Sequence, residues 1–172
     1  MCKCALLLCA AAALAQPPKY GVGRTPTPGE IRQWDISVRP DGKNLPSGRG
    51  SVAEGKEIYA KRCSKCHGDS GQGGDSVPLV GGRGTLNTSK PLKTVESYWP
   101  YATTLFDYIN RAMPFKSPGM LSTNQVYDVT AYVLFLGKIV PENAVLDADS
   151  LAKIRMPNRD GFVPDPRPDV KR

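Results

Sequence analysis

One histidine, His67, serves the whole 172-residue chain, and it stands directly behind two cysteines in Cys63-Ser-Lys-Cys66-His67. A single imidazole excludes every site that needs several. Multi-His zinc or copper centres, an iron held between two histidines of one chain, and a His-ligated metal beside a Ser-His-Asp triad all fall away. The other three cysteines, Cys2, Cys4 and Cys9, lie at the extreme N-terminus. There Lys3 precedes an apolar run of about a dozen residues that ends in Ala13-Leu14-Ala15. A bilayer span takes roughly 20 apolar residues, so residues 1–15 are expected to be a signal peptide removed after Ala15, with no transmembrane segment. Cleavage leaves Cys63 and Cys66 as the only cysteines and lowers the formal charge from +7 to +6. No disulfide is expected.

Two thiols at i and i+3 face the same way at a helix end, with the imidazole next in line. A zinc site built on them needs a fourth Cys or His, which the processed chain does not offer. A thioredoxin-type redox pair needs a βαβ setting that is missing here. The spacing instead matches attachment of c-type haem, in which each thiol adds across one vinyl group and His67 becomes the proximal iron ligand. One covalent haem c is the expected cofactor, and export fits its attachment in the periplasm. The macrocycle also makes good a hydrophobic fraction of only 40%. With no second histidine, the sixth ligand falls to methionine. Met113 sits in Arg111-Ala-Met-Pro-Phe115, where a helix gives way to a Pro-rich loop that can fold over the distal face. Met120 lies two residues before a helix cap, and Met156 lies in the tail, from which it reaches only by wrapping. An ordinary apolar filler role is open to each; the loop placement favours Met113.

Residues 16–50 are rich in Pro and Gly with no sustained period, and form an extended N-terminal arm. Its Tyr20, Val22, Ile31, Trp34 and Ile36 are too many for a solvated linker, so the arm is expected to lie against its own core or a partner chain. Ser51-Val-Ala-Glu54 is a capping box for a helix running to Cys63. Residues 68–96 are loop-like. Pro100 suits the first turn of a second helix, whose buried face carries Leu105, Phe106 and Ile109 and which Pro114 and Pro118 end. Ser122-Thr-Asn-Gln125 caps a third helix that buries Val126, Val129, Val133 and Leu136 and stops at Gly137. The compact part is expected over 51–138, all-α, followed by an extended, charged tail at 139–172.

On these residues the chain resembles a class I cytochrome c over about 51–138. The resemblance implies that Gly55 and Tyr59 of the first helix pack against Tyr132 of the last. It also implies that the carbonyl of Pro78, in Val-Pro-Leu-Val-Gly-Gly, accepts the second N–H of His67. Across nearly the whole processed chain, YGVGRTPTPGEIRQWDISVRPDG, LPSGRGSVAEGKEIYAKRCSKCHG, KTVESYWPYATTLFDYINRAMPF and MPNRDGF are similar to cytochromes of bacterial sulfur oxidation. These are the haem subunits paired with a molybdenum sulfite dehydrogenase, or its sulfane-dehydrogenase relative, in the thiosulfate-oxidising (Sox) pathway. The resemblance implies Met113 as iron ligand; at the position of Met120 such relatives carry a small or polar residue. It differs from the longer members in having a single C-x-x-C-H.

Nine cations, Lys56, Lys61, Arg62, Lys65, Arg83, Lys90, Lys93, Arg111 and Lys116, stand near the motif or in segments expected around it, against Glu57, Asp69, Asp75, Glu96 and Asp107. They form either an evenly solvated surface or a rim that steers an acidic redox partner. Arg83, Trp99 and Tyr101 are candidates for the haem propionates. Interspersed charges and export argue against nucleic acid. The expected role is one-electron transfer without catalysis, from a molybdenum sulfite or sulfane dehydrogenase to a downstream cytochrome c or terminal oxidase. The rivals are a carrier for another periplasmic dehydrogenase such as a quinoprotein alcohol dehydrogenase, a haem peroxidase or sensor with an open distal face, and a subunit whose haem is incidental.

Overall fold

A computed structural model describes residues 20–167, so the expected signal peptide lies outside the described residues. The chain divides into two units, one ending at Asp35 and the other beginning at Ile36. In the first, helix α1 spans Pro28–Trp34, with Pro28 opening it and a full capping box between Thr27 and Glu30. Arg24 forms an ion pair with Glu30. No residue of α1 is buried, and Tyr20, Val22, Ile31 and Trp34 are all exposed.

The second unit builds from a crossing of two helices. Helix α2, Val52–Arg62, starts where the Ser51 hydroxyl accepts from the Glu54 N–H. The short helix α3, Ser64–His67, follows it directly. Helix α4 covers Ala102–Ala112, and α5 covers Thr123–Leu136 behind the expected Ser122/Gln125 capping box. Gly137 is the C-cap of α5, but the left-handed position falls one residue later, on Lys138 at φ 54°. Pro100 lies outside α4, ahead of its N-cap Tyr101. Tyr101 has extended backbone (φ −137°, ψ 130°), as a residue ahead of a helix needs and a first-turn residue does not.

Glycines set the depth of the crossing. A Cβ at Gly55 would strike the backbone carbonyl of Asp128 on α5 and come within 2.8 Å of Tyr132 Cβ. A Cβ at Gly50 would strike the backbone N–H of Asp128. With both contacts open, the Tyr59 and Tyr132 rings meet at 5.2 Å between centroids, as the family resemblance implies. The Asp128 carboxylate accepts from Ser51 N–H at 2.7 Å. Burial pushes this carboxyl up, and the Ser51 bond draws it part of the way back.

Segments outside the three long helices complete the core. Strands β1, Arg49–Ser51, and β2, Val145–Asp147, pair antiparallel with Gly50 opposite Leu146, a small departure from an all-helical body. Helix α6, Ala148–Lys153, follows. Leu146, Leu151 and Met156 from this stretch are buried, as is Val38 from the arm. Buried Asp107 of α4 accepts from Val38 N–H at 2.8 Å and pairs with Arg111. The Tyr127 hydroxyl donates to the Pro46 carbonyl at 2.9 Å, and burial pushes that phenol up to about 12. Among the described residues no helix is long and apolar enough to cross a membrane. Gly55→Ala is expected to lower the stability of the holo-protein by about 3 kcal/mol, roughly 6–12 °C in Tm; a thermal melt followed by circular dichroism checks it.

Candidate haem site

The C-terminal end of α2 delivers the motif. Cys63 caps the helix, its N–H donating to Tyr59 at 2.8 Å, and then turns the chain into α3. Cys66 N–H and His67 N–H both donate back to the Cys63 carbonyl, at 3.1 and 3.0 Å. One turn therefore holds all three side chains. Gly68 ends it at φ 78°, and its carbonyl accepts from the buried Tyr59 hydroxyl at 2.9 Å, locking the turn to the helix crossing.

The loop that follows folds back under His67. Ser76 N–H donates to the Cys66 carbonyl and Gly73 N–H to the His67 carbonyl, each at 2.8 Å. Leu79 N–H then donates to the Gly71 carbonyl at 2.8 Å. This folding brings the Val77 carbonyl to 2.9 Å from His67 Nδ1. A carbonyl only accepts, so Nδ1 carries the proton and the Nε2 lone pair is left for a metal. The acceptor is Val77, not Pro78. The reason is local: the Gly74–Ser76 turn sets the register of the loop one residue earlier, and the ring of Pro78 lies beside Gly73 instead. Sequence reading missed Val77 because a backbone acceptor leaves no side-chain signature; the proline after it is the nearest signal.

The thiols suit thioether formation. Both are free. Burial, with Cys66 adjacent, pushes the half-buried Cys63 thiol up to about 11. Among the described residues no three or more His, Cys, Asp and Glu converge as a metal-holding group. Ile58, Leu79, Trp99, Met113, Leu136 and Ile139 pack on the core yet stay only half-buried, so they keep apolar surface available for a macrocycle.

The methionines separate by position. Met113 is the half-buried C-cap of α4, its N–H bonded to Ile109 at 3.1 Å and its chain leading through a cis bond to Pro114. Met156 is 1% exposed within the core and has no face left for a ligand. Met120 is exposed and borders a cavity of about 340 Å³ with Ile58, Lys61, Arg62 and Leu121.

The propionate candidates also have partners within the protein itself. Arg83 Nε pairs with Glu96 at 2.6 Å, and its Nη2 donates to the Gly137 carbonyl at 2.6 Å, so two of its three nitrogens are occupied within the protein. Glu96 also accepts from Gly81 N–H, which ties the 81–83 loop to the end of α5. Tyr101 pairs with Arg155 of the tail and lies under the Arg159 guanidinium at 4.0 Å. Trp99 stands edge-on to Tyr108 of α4 at 5.7 Å. Glu57, Glu96 and Asp107 pair with Lys61, Arg83 and Arg111 respectively, so three of the nine cations are matched one to one by acids.

The profile of the family described as cytochrome c oxidase, cbb3-type, subunit III matches residues 50–133. A chain of the sulfane dehydrogenase SoxCD from Paracoccus pantotrophus is 42% identical and superposes with a TM-score of 0.80, over 87% of this chain and 74% of that one. This chain belongs to the class I c-type cytochromes of the Sox type. Its cofactor is covalently bound haem c, and it is an electron carrier. The thiosulfate dehydrogenase of Stutzerimonas stutzeri (strain A1501) is 32% identical to this cytochrome over 115 residues, 58% of this chain and 35% of that one. The thiosulfate dehydrogenase of Psychrobacter arcticus is 30% identical over 136 residues, 76% and 36% respectively. The cytochrome thus spans about a third of the length of the curated relatives it matches.

Glu96→Ala leaves Gly81 N–H and Arg83 without their shared acceptor. A loss of about 2 kcal/mol is expected, read as a lower denaturant midpoint with the slope unchanged.

Proposed function

We propose that this cytochrome is the periplasmic electron-accepting subunit or partner of a molybdenum sulfite or sulfane dehydrogenase, and that it is itself no catalyst. Cys63 and Cys66 hold the haem as thioethers, His67 is the proximal ligand through Nε2, and Met113 is the distal ligand. Bound haem supplies a one-electron Fe(III)/Fe(II) couple. The protein's part is to place and tune it. The bond from His67 Nδ1 to the Val77 carbonyl orients the ring and strengthens its donation at Nε2. The Met113 thioether raises the potential relative to a second imidazole, which suits an acceptor of electrons. Half-buried apolar side chains exclude water, and Lys56, Arg62 and Lys65 on the motif's own helices steer an acidic partner. Received electrons pass to a downstream cytochrome c or a terminal oxidase.

The observation that carries the reading is the 42% identity to a SoxCD chain over most of the cytochrome, joined to a His67 whose second nitrogen is already committed to a carbonyl. The test is reduction of the exported holo-protein by a molybdenum sulfite or sulfane dehydrogenase turning over its sulfur substrate. Reduction within the enzyme's turnover time is expected, with a rate that falls severalfold between about 0.05 and 0.5 M salt. Met113→Ala should lose the long-wavelength band of methionine-ligated ferric haem and shift to a lower potential. Reduction only by an unrelated dehydrogenase would overturn the partner, and an unchanged Met113→Ala spectrum would overturn the ligand.

A further inference from the structure

The stretch after α6 grips the segment that precedes α4 at four points. Arg155 pairs with Tyr101 across an antiparallel bridge. Asn158 Nδ2 donates to the Tyr98 carbonyl at 2.8 Å. The Arg159 guanidinium lies over the Tyr101 ring, and Phe162 meets the Tyr98 ring edge-on at 5.2 Å. The grip is anchored, because Met156 within it is buried in the core and Arg159 N–H closes a turn onto the Met156 carbonyl at 3.0 Å. Between the two gripped tyrosines stands Trp99, which packs on the core and against Tyr108. Tyr101 in turn is the N-cap of α4, and Met113 is its C-cap. The tail therefore holds the start of the element whose far end carries Met113, together with the Trp99–Tyr108 pair that lies alongside it.

We propose that residues 154–162 are a strap that positions the distal side of the haem crevice, with Asn158 as its principal positioning residue. Asn158 is singled out because its amide is the strap's one side-chain hydrogen bond to the backbone beside Trp99. Gly161 leaves room for it: a Cβ there would run into Asn158 Oδ1. Among the described residues no hydrogen bond or ion pair joins the strap to Cys63, Cys66 or His67; it acts through Tyr98–Tyr101 and α4. This inference rests on the haem and ligand reading given above.

The test uses the holo-cytochrome and follows imidazole binding to the ferric haem, the midpoint potential, and hydrogen exchange of residues 98–101. In Asn158→Ala, imidazole should bind roughly tenfold faster, the change that loss of one hydrogen bond implies. The potential should move, and residues 98–101 should lose exchange protection. Gly161→Ala, which keeps Asn158 but displaces it, should change all three readouts in the same direction. Val52→Ala, a cavity at the start of α2, should lower Tm while leaving imidazole binding and potential as in wild type. If Asn158→Ala and Gly161→Ala match wild type in binding and potential, or if Val52→Ala changes them as much, the strap has no positioning role. If wild type already binds imidazole as fast as Met113→Ala, the distal-ligand reading fails. The strap is then judged on potential and exchange, and unchanged values in Asn158→Ala overturn it.

Discussion

The close crossing of α2 and α5 is the constraint on which the rest of the structure depends. Gly50 and Gly55 let the two backbones meet at Asp128 and Tyr132 with no side chain between them. Tyr59 then fills the space beside Tyr132 and reaches with its hydroxyl to the Gly68 carbonyl. That bond joins the helix crossing to the end of the Cys63–His67 turn. The position of the motif in space follows from helix packing, and the orientation of His67 follows from the loop folded beneath it. The position rests on no side chain of the motif, whereas the orientation is fixed by the bond from His67 Nδ1 to the Val77 carbonyl.

This arrangement divides the work between rigid and adjustable parts. The loop under His67 is held by backbone hydrogen bonds over 66–80, which resist change by any single side-chain substitution. The 81–83 loop and the segment ahead of α4 are held by side chains: the Arg83–Glu96 pair, Trp99 on Tyr108, and the tail over Tyr98 and Tyr101.

Much of this was legible in the sequence, and the parts that were not share a cause. The motif and the Ser51 and Ser122 caps carry local signatures, fixed spacing and a hydroxyl ahead of an acceptor, while the Gly55–Tyr59–Tyr132 contact was implied by the family resemblance. The tail does not. Leu146, Leu151 and Met156 are separated by unequal steps among charged residues and prolines, so no period marks them, yet all three are buried. Strand β1 is three residues long, too short for alternation to register. The partners of Arg83 and Tyr101 lie far along the chain, and a cation near a haem motif gives no sign of which anion or ring it will meet. Val77 acts through its carbonyl, which every residue has. In α1, by contrast, the apolar residues were visible, but their exposure was not.

The central claim is that Cys63 and Cys66 bind one haem covalently. Mass spectrometry of the exported protein, unfolded in acid and digested, tests it most directly. The account predicts that the peptide containing Cys63 through His67 carries the added mass of one haem and that neither cysteine reacts with a thiol-alkylating reagent. An unmodified peptide with two alkylatable cysteines, from protein that was exported and coloured before unfolding, would contradict it.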